Sequence, residues 1–266
     1  MITVPAYFND AQRRATVKAG ELAGLKVLRI VNEPTAASLV YDRVTTAARG
    51  KVSPYVMVYD LGGGTFDVSI LELKGEIKEV LASCGDTALG GDDFDERLVG
   101  LFLREIKTKT GADAFENDRA LHVRLREIAE KTKISLSDAP YVQVREVGLT
   151  TFNREPVNLD VEISRRDYEE MIGDLVKKTA DKVFEALKEA RLGVEEIGHV
   201  ILVGGATKTP LVLETLSGMF QEPIDHSVDP DLCVALGASV QRGLIAGEPL
   251  GHILVDVTTT GSGLFC

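Results

Sequence analysis

Tyr59-Asp60-Leu61-Gly62-Gly63-Gly64-Thr65-Phe66-Asp67-Val68-Ser69 is the stretch whose reading decides the fold. The run before it, Tyr55-Val56-Met57-Val58-Tyr59, is apolar, aromatic and β-branched, as in a strand buried on both faces. The run after it alternates, with Phe66, Val68, Ile70, Leu71 and Leu73 set against Asp67, Ser69, Glu72 and Lys74. That predicts a second strand with no helix between. A dinucleotide fingerprint or a P-loop requires strand, glycines and then a helix N-terminus, and no Lys-Ser or Lys-Thr follows these glycines. What remains is a hairpin whose backbone N–H groups can close around a phosphate. Asp60 and Asp67 at its rims suit a hydrated Mg²⁺, and Thr65 adds a hydroxyl. The same residues also suit an ordinary glycine-rich β-turn with two solvated aspartates.

Toward the N-terminus, residues 2–6 read as a short strand ended by Pro5, and Asn9 as the cap of a helix over 10–23 stopped by Gly24. A strand over 26–31 runs into Asn32-Glu33-Pro34, where Pro34 suits the first turn of a helix. Glu33 is either a surface acid at that junction or a carboxylate aimed into a cleft at the carboxyl end of a strand. Toward the C-terminus, residues 76–83 complete a three-stranded meander. The second glycine turn, Gly90-Gly91-Asp92-Asp93, opens an amphipathic helix carrying Phe94, Leu98, Leu101, Phe102 and Ile106. Its glycines could admit a phosphate, while Asp92 and Asp93 suit capping.

A helix over 117–135, if continued, places Glu130, Lys133 and Ser137 on one face, a pattern shared by solvated stripes and ligand-binding faces. Strands near 141–147 and 158–163 precede a long helix from Ser164 to about Leu192, stopped by Gly193. His199-Val200-Ile201-Leu202-Val203 is another fully apolar strand. It leads through Gly204, Gly205 and Lys208 to a helix with Pro210 in its first turn, forming a corner suited to anions or to a tight turn. Asp229-Pro230-Asp231 starts a further helix, and residues 251–257 read as strand.

Hydrophobic content of 44% and charged content of 27% over 266 residues predict a globular protein with a well-buried core. A net charge of -11 argues against a nucleic-acid backbone or an anionic membrane as main partner. Cys84, Cys233 and Cys266 are few and widely spaced, which fits a reducing compartment, and with no signal-like start the expected location is cytoplasmic. The scattered histidines form neither a metalloprotease nor a serine-hydrolase motif.

Taken in order, the phrases at 2–10, 32–37, 60–69, 85–94, 130–137, 203–210 and 229–237 closely resemble the nucleotide-binding domain of the seventy-kilodalton heat-shock (DnaK-type) chaperones. The resemblance covers almost the whole chain. It implies an α/β, actin-like ATPase fold with ribonuclease H-like sheets, one complete lobe with a helical subdomain, and a partial second lobe. The divisions would be 1–49 and 228–251 for the partial lobe, 50–89 and 174–227 for the core of the complete one, 90–173 for its subdomain, and 252–266 for an interdomain linker and tail. A hinge would lie near Gly50.

Residue by residue, the resemblance assigns Asp60, Gly62, Gly63, Gly64, Thr65, Asp67 and Glu33 to phosphate, Mg²⁺ and attacking water. Gly90 and Gly91 would line the phosphates, Glu130, Lys133 and Ser137 the ribose and adenine, and Gly204, Gly205, Lys208 and Asp231 the far side of the nucleoside. The implied cofactors are ATP or ADP, Mg²⁺ and K⁺. The implied partners are a J-domain co-chaperone, a nucleotide-exchange factor and unfolded polypeptide clients. Pro5 and Arg13 match positions that pass nucleotide state to the client-binding domain.

The chain also departs from that pattern. It lacks the first phosphate hairpin and catalytic lysine that precede the segment matching Ile2, and it ends at the linker. Lys208 replaces a common arginine, and Ala88 a common histidine. A truncated relative with impaired hydrolysis is therefore expected. A small-molecule kinase of the same superfold, an actin-like filament protein and a non-catalytic remnant are the competing readings.

Overall fold

The computed structural model describes residues 1–6, 8–45, 53–74, 77–111, 115, 118–220, 224, 228–247 and 253–254. Strand β1 (Ile2–Val4) pairs in parallel with β2 (Ile30–Asn32), and helix α1 (Asp10–Leu22) makes the connection. Asn9 starts α1 as expected: its side chain accepts the Gln12 N–H at 3.0 Å, while the Gln12 side chain accepts the Asn9 N–H at 2.9 Å. Gly24, at φ +79°, turns the chain after the helix. The strand expected over 26–31 is shorter than its apolar pattern suggests. Ile30 is already opposite Ile2, the first residue of β1, and the Arg29 carbonyl accepts the Ile2 N–H at 3.2 Å, so the pairing starts there. Helix α2 (Glu33–Thr45) follows directly.

The central sheet has the order β8-β3-β4-β5-β9. Its middle is an antiparallel meander of β3 (Tyr55–Leu61), β4 (Phe66–Lys74) and β5 (Ile77–Asp86). Strand β8 (Ile197–Val203) joins β3 in parallel, and β9 (Ile253–Leu254) joins β5. Strand β5 runs three residues past its expected end, because Gly85 and Asp86 still pair with Asp67 and Phe66. Both faces of the sheet are covered, which accounts for the nearly continuous apolar sequence of β3. Met57, Tyr59, Val68 and Ile70 belong to the larger core. Val56, Val58, Leu71, Ile201 and Val203 pack with Ala37 and Cys233 on the other side.

From β5 the chain enters α3 (Gly91–Thr110) and α4 (Arg119–Asp138), then the hairpin of β6 (Tyr141–Phe152) and β7 (Glu155–Ser164). These two strands are longer than expected. They are closed by Asn153 and Arg154, both left-handed at φ 50° and 69°, as a two-residue hairpin turn requires. Helix α5 (Arg165–Ala190) begins where Ser164 accepts the Asp167 N–H at 3.0 Å. It stops at the left-handed Arg191 rather than at Gly193.

After β8, Gly205–Lys208 forms a 3-10 turn before α6 (Pro210–Met219), so Gly204 and Gly205 do not stand at the N-terminus of that helix. The helix expected from 229–231 begins later, as α7 (Cys233–Ile245), because those residues form a turn in which Asp229 Oδ1 accepts the Asp231 N–H at 3.1 Å. Helices α2 and α7 touch so closely that a Cβ on Gly237 would lie 1.8 Å from the Ala36 carbonyl oxygen. The expected hinge near Gly50 and most of the 252–266 linker lie outside the described residues. Among the described residues no helix is long and apolar enough to cross a membrane.

Candidate functional site

The glycine triplet joins β3 to β4 without a helix, with Asp60 opposite Asp67 and Leu61 opposite Phe66. The Gly62 N–H closes the loop on the Thr65 carbonyl at 3.0 Å, leaving Gly63, Gly64 and Thr65 exposed at the tip. Two further glycine segments lock onto this loop. The first amides of α3 donate to it, Gly91 N–H to Gly62 O at 2.9 Å and Asp92 N–H to Gly63 O at 2.7 Å. Gly90 spends its own N–H on Asp93 Oδ2 at 2.8 Å, so Asp93 acts in the cap while Asp92 is exposed. Backbone meets backbone here: a Cβ on Gly90 would lie 2.2 Å from Gly63 O. Gly204, at φ +85°, comes equally close, its Cβ position being 2.3 Å from Leu61 O. A Cβ on Gly205 would lie 2.8 Å from Asp231 Oδ1.

Beneath the loop, Glu33 from the start of α2 joins Asp60 and Asp67. Burial pushes Asp60 up to about 7, and the charges of Glu33 and Asp67 add to the effect. Burial and Asp67 likewise push Glu33 up to about 7. Asp67 rises to about 6 through burial, opposed by hydrogen bonds from the Ser83 hydroxyl and the backbone at Ala6 and Val68. Ser83 Oγ donates to Asp67 Oδ1 at 3.1 Å, whereas the buried Oδ2 has no hydrogen-bond partner among the described residues. Carboxylates that burial keeps protonated, with an unsatisfied oxygen among them, fit a divalent cation. Among the described residues no three His, Cys, Asp or Glu side chains form a group that could hold a metal ion directly.

Helix α4 does reach Ser137, and Glu130, Lys133 and Ser137 share it. Glu130 is exposed, and Ser137 Oγ donates to Lys133 O at 3.4 Å. Lys133 is no solvated stripe residue. Its side chain is 13% exposed, and its Nζ donates to Asp95 Oδ2 at 2.8 Å and to Gly91 O at 3.1 Å. Lys208 is exposed and donates to Asp231 Oδ2 at 2.6 Å and Asp229 Oδ1 at 3.1 Å, and those acids raise its pKa. Arg13 donates to Ala6 O at 3.1 Å and Asn32 Oδ1 at 2.6 Å, bracing the segment after Pro5 against the residue before Glu33.

Sequence reasoning missed Asp95 and Ser83. Asp95 left one signal, an acid directly beside Phe94 on a helix whose neighbouring apolar positions are buried. Ser83 left none, because its link to Asp67 depends on the register of β4 against β5. A comparison with protein-family models matches residues 1–264 to the family described as Hsp70 protein.

Proposed function

The chain belongs to the Hsp70 family, a family of ATP-binding chaperones with an actin-like ATPase fold, and we propose that its 266 residues bind adenine nucleotide with Mg²⁺ at the interlocked glycine turns. The observation that carries this reading is the convergence of the 62–64, 90–91 and 204–205 turns around one loop beside three mutually repelling carboxylates. Glycine is required where backbones pass this closely, and the exposed loop tip is open to an anion.

In this reading Gly63, Gly64 and Thr65 at the loop tip receive the phosphates, and Gly62, whose N–H closes the loop on Thr65 O, shapes its base. Gly90 and Gly91 hold the loop from behind, since their amides are already engaged. Asp60 and Asp67 would hold Mg²⁺ through water, and the ion's charge would offset that of the phosphates. Glu33 and Asp60 orient the attacking water. A carboxylate beside that water can accept its hydrogen bond and orient it. Glu130, Lys133 and Ser137 on one side, with Gly204, Gly205, Lys208 and Asp231 on the other, flank the nucleoside. Residues 1–49 with 228–251 form the smaller lobe, and 50–227 the larger, whose subdomain spans 90–173. J-domain proteins, exchange factors and unfolded clients are the partners through which hydrolysis serves folding.

Phosphoryl transfer depends on positioning and on charge stabilisation around the γ-phosphate. The groups acting electrostatically on Glu33 and Asp60 are acids, and acids beside the γ-phosphate oppose the charge it carries into the transition state. In this reading these residues bind nucleotide, and the acids around the phosphates make turnover slow. Calorimetric titration with Mg·ADP tests binding, and single-turnover hydrolysis of ATP tests the second statement. Absence of heat on titration would sink the nucleotide reading. Fast turnover, abolished by Asp60→Asn, would sink the slow-hydrolysis reading alone.

A further inference from the structure

The two lysines assigned to the nucleotide are held very differently. Lys208 is exposed and paired with exposed acids, an arrangement that fixes a side chain weakly. Lys133 is almost enclosed, with its side chain 13% and that of Asp95 10% exposed. Asp95 Oδ2 takes one ammonium N–H at 2.8 Å and Gly91 O a second at 3.1 Å, which leaves one N–H of the three uncommitted among the described residues. Gly91 itself donates its N–H to Gly62 O at 2.9 Å, so the ammonium is tied to the glycine loop through a single residue.

Asp95 has no place in the nucleotide reading, yet its position is an expensive one. Its second oxygen, Oδ1, is buried with no hydrogen-bond partner among the described residues. Burial pushes the carboxyl up to about 6 in spite of Lys133, with Glu130 of α4 and Asp92 of α3 acting in the same direction. Tyr168 of α5 also feels its charge. With Asp92, Arg126, Glu127 and Glu130, Asp95 lines a cavity of about 320 Å³.

We propose that Asp95 is a positioning residue for the nucleotide, fixing the Lys133 ammonium beside the glycine loop with one N–H left for the ligand. The proposal rests on the nucleotide reading above. A lysine without such an anchor must lose its rotamer freedom on binding, and affinity falls accordingly.

A double-mutant cycle on Mg·ADP affinity tests this, using the wild type, Asp95→Asn, Lys133→Met and the double variant, with melting curves to confirm folding. Lys133→Met should weaken binding about 10-fold or more. Asp95→Asn should weaken it about 5-fold when Lys133 is present and have no effect in the Lys133→Met background. Asp95→Glu, which keeps the charge, should recover part of the affinity. In ligand-free protein, the Lys133 ammonium signal in ¹⁵N NMR should be protected from solvent exchange in the wild type and lost in Asp95→Asn. Equal weakening in both backgrounds, or an unchanged ammonium signal, would overturn the proposal. Absence of ADP binding by the wild type would overturn it together with the nucleotide reading, and the ammonium spectrum would then report on the pair alone.

Discussion

Replacing Asp60 by Asn should stabilise the ligand-free protein, and only at neutral to alkaline pH. The carboxyl has an ordinary value of 3.8 and is pushed up to about 7 by burial and by Glu33 and Asp67. A raised carboxyl pKa means that the folded state binds the proton more tightly than the unfolded chain, so stability falls as pH rises from about 4 to about 7 and stays lowered above. At 1.36 kcal/mol per pH unit, the displacement corresponds to ~4 kcal/mol. The Asn amide is still a buried polar group and Glu33 and Asp67 still repel, so about half of that, ~2 kcal/mol, should be recovered. For a chain of this size, that is a rise in Tm of about 4–8 °C. The assay is thermal unfolding by circular dichroism of wild type and Asp60→Asn at pH 5 and pH 8, without Mg²⁺ or nucleotide. The wild type should lose stability relative to the variant on going to pH 8, with little difference between them at pH 5. A variant less stable than the wild type at pH 8, or a difference equal at the two pH values, would refute the account of mutually repelling buried carboxylates.

Other perturbations address the loop, the nucleoside side and a helix cap. Gly90→Ala should cost about 3 kcal/mol in urea unfolding, since its Cβ would lie 2.2 Å from the Gly63 carbonyl oxygen. Gly64→Ala, with no atom within 4 Å of the new Cβ, should stay within about 0.5 kcal/mol of the wild type; equal losses would mean that the loop packs otherwise. Lys133→Ala should weaken Mg·ADP binding by roughly 1.5–3 kcal/mol, and Lys208→Ala by less than about 1 kcal/mol, because the first ammonium is enclosed and the second exposed. The opposite order in calorimetry would contradict this. Ser164→Ala removes the acceptor for the Asp167 N–H at the start of α5 and should cost about 1 kcal/mol by the same unfolding assay; an unchanged midpoint would show that the cap is redundant.

The amino-acid sequence by itself determined what depends on near neighbours. The buried character of β3, the strand-to-strand glycine connection, the caps at Asn9 and Ser164, and the succession of glycine segments are all written within a few residues, because periodicity, capping and turn chemistry act over that range. The same residues left their use undecided. Lys133 reads equally well as solvent-facing or ligand-facing until α4 is packed on α3. Packing then encloses it against Asp95, more than thirty positions away in the chain. Gly90 and Gly91 read as phosphate liners until α3 docks on the hairpin and their amides are engaged. Glu33, Asp60 and Asp67 were legible as acids near glycines, but their raised pKa values arise only when α2 is brought to the hairpin and water is removed from all three. Desolvation and charge repulsion depend on distance through space, and that distance is set by the tertiary fold rather than by position along the chain.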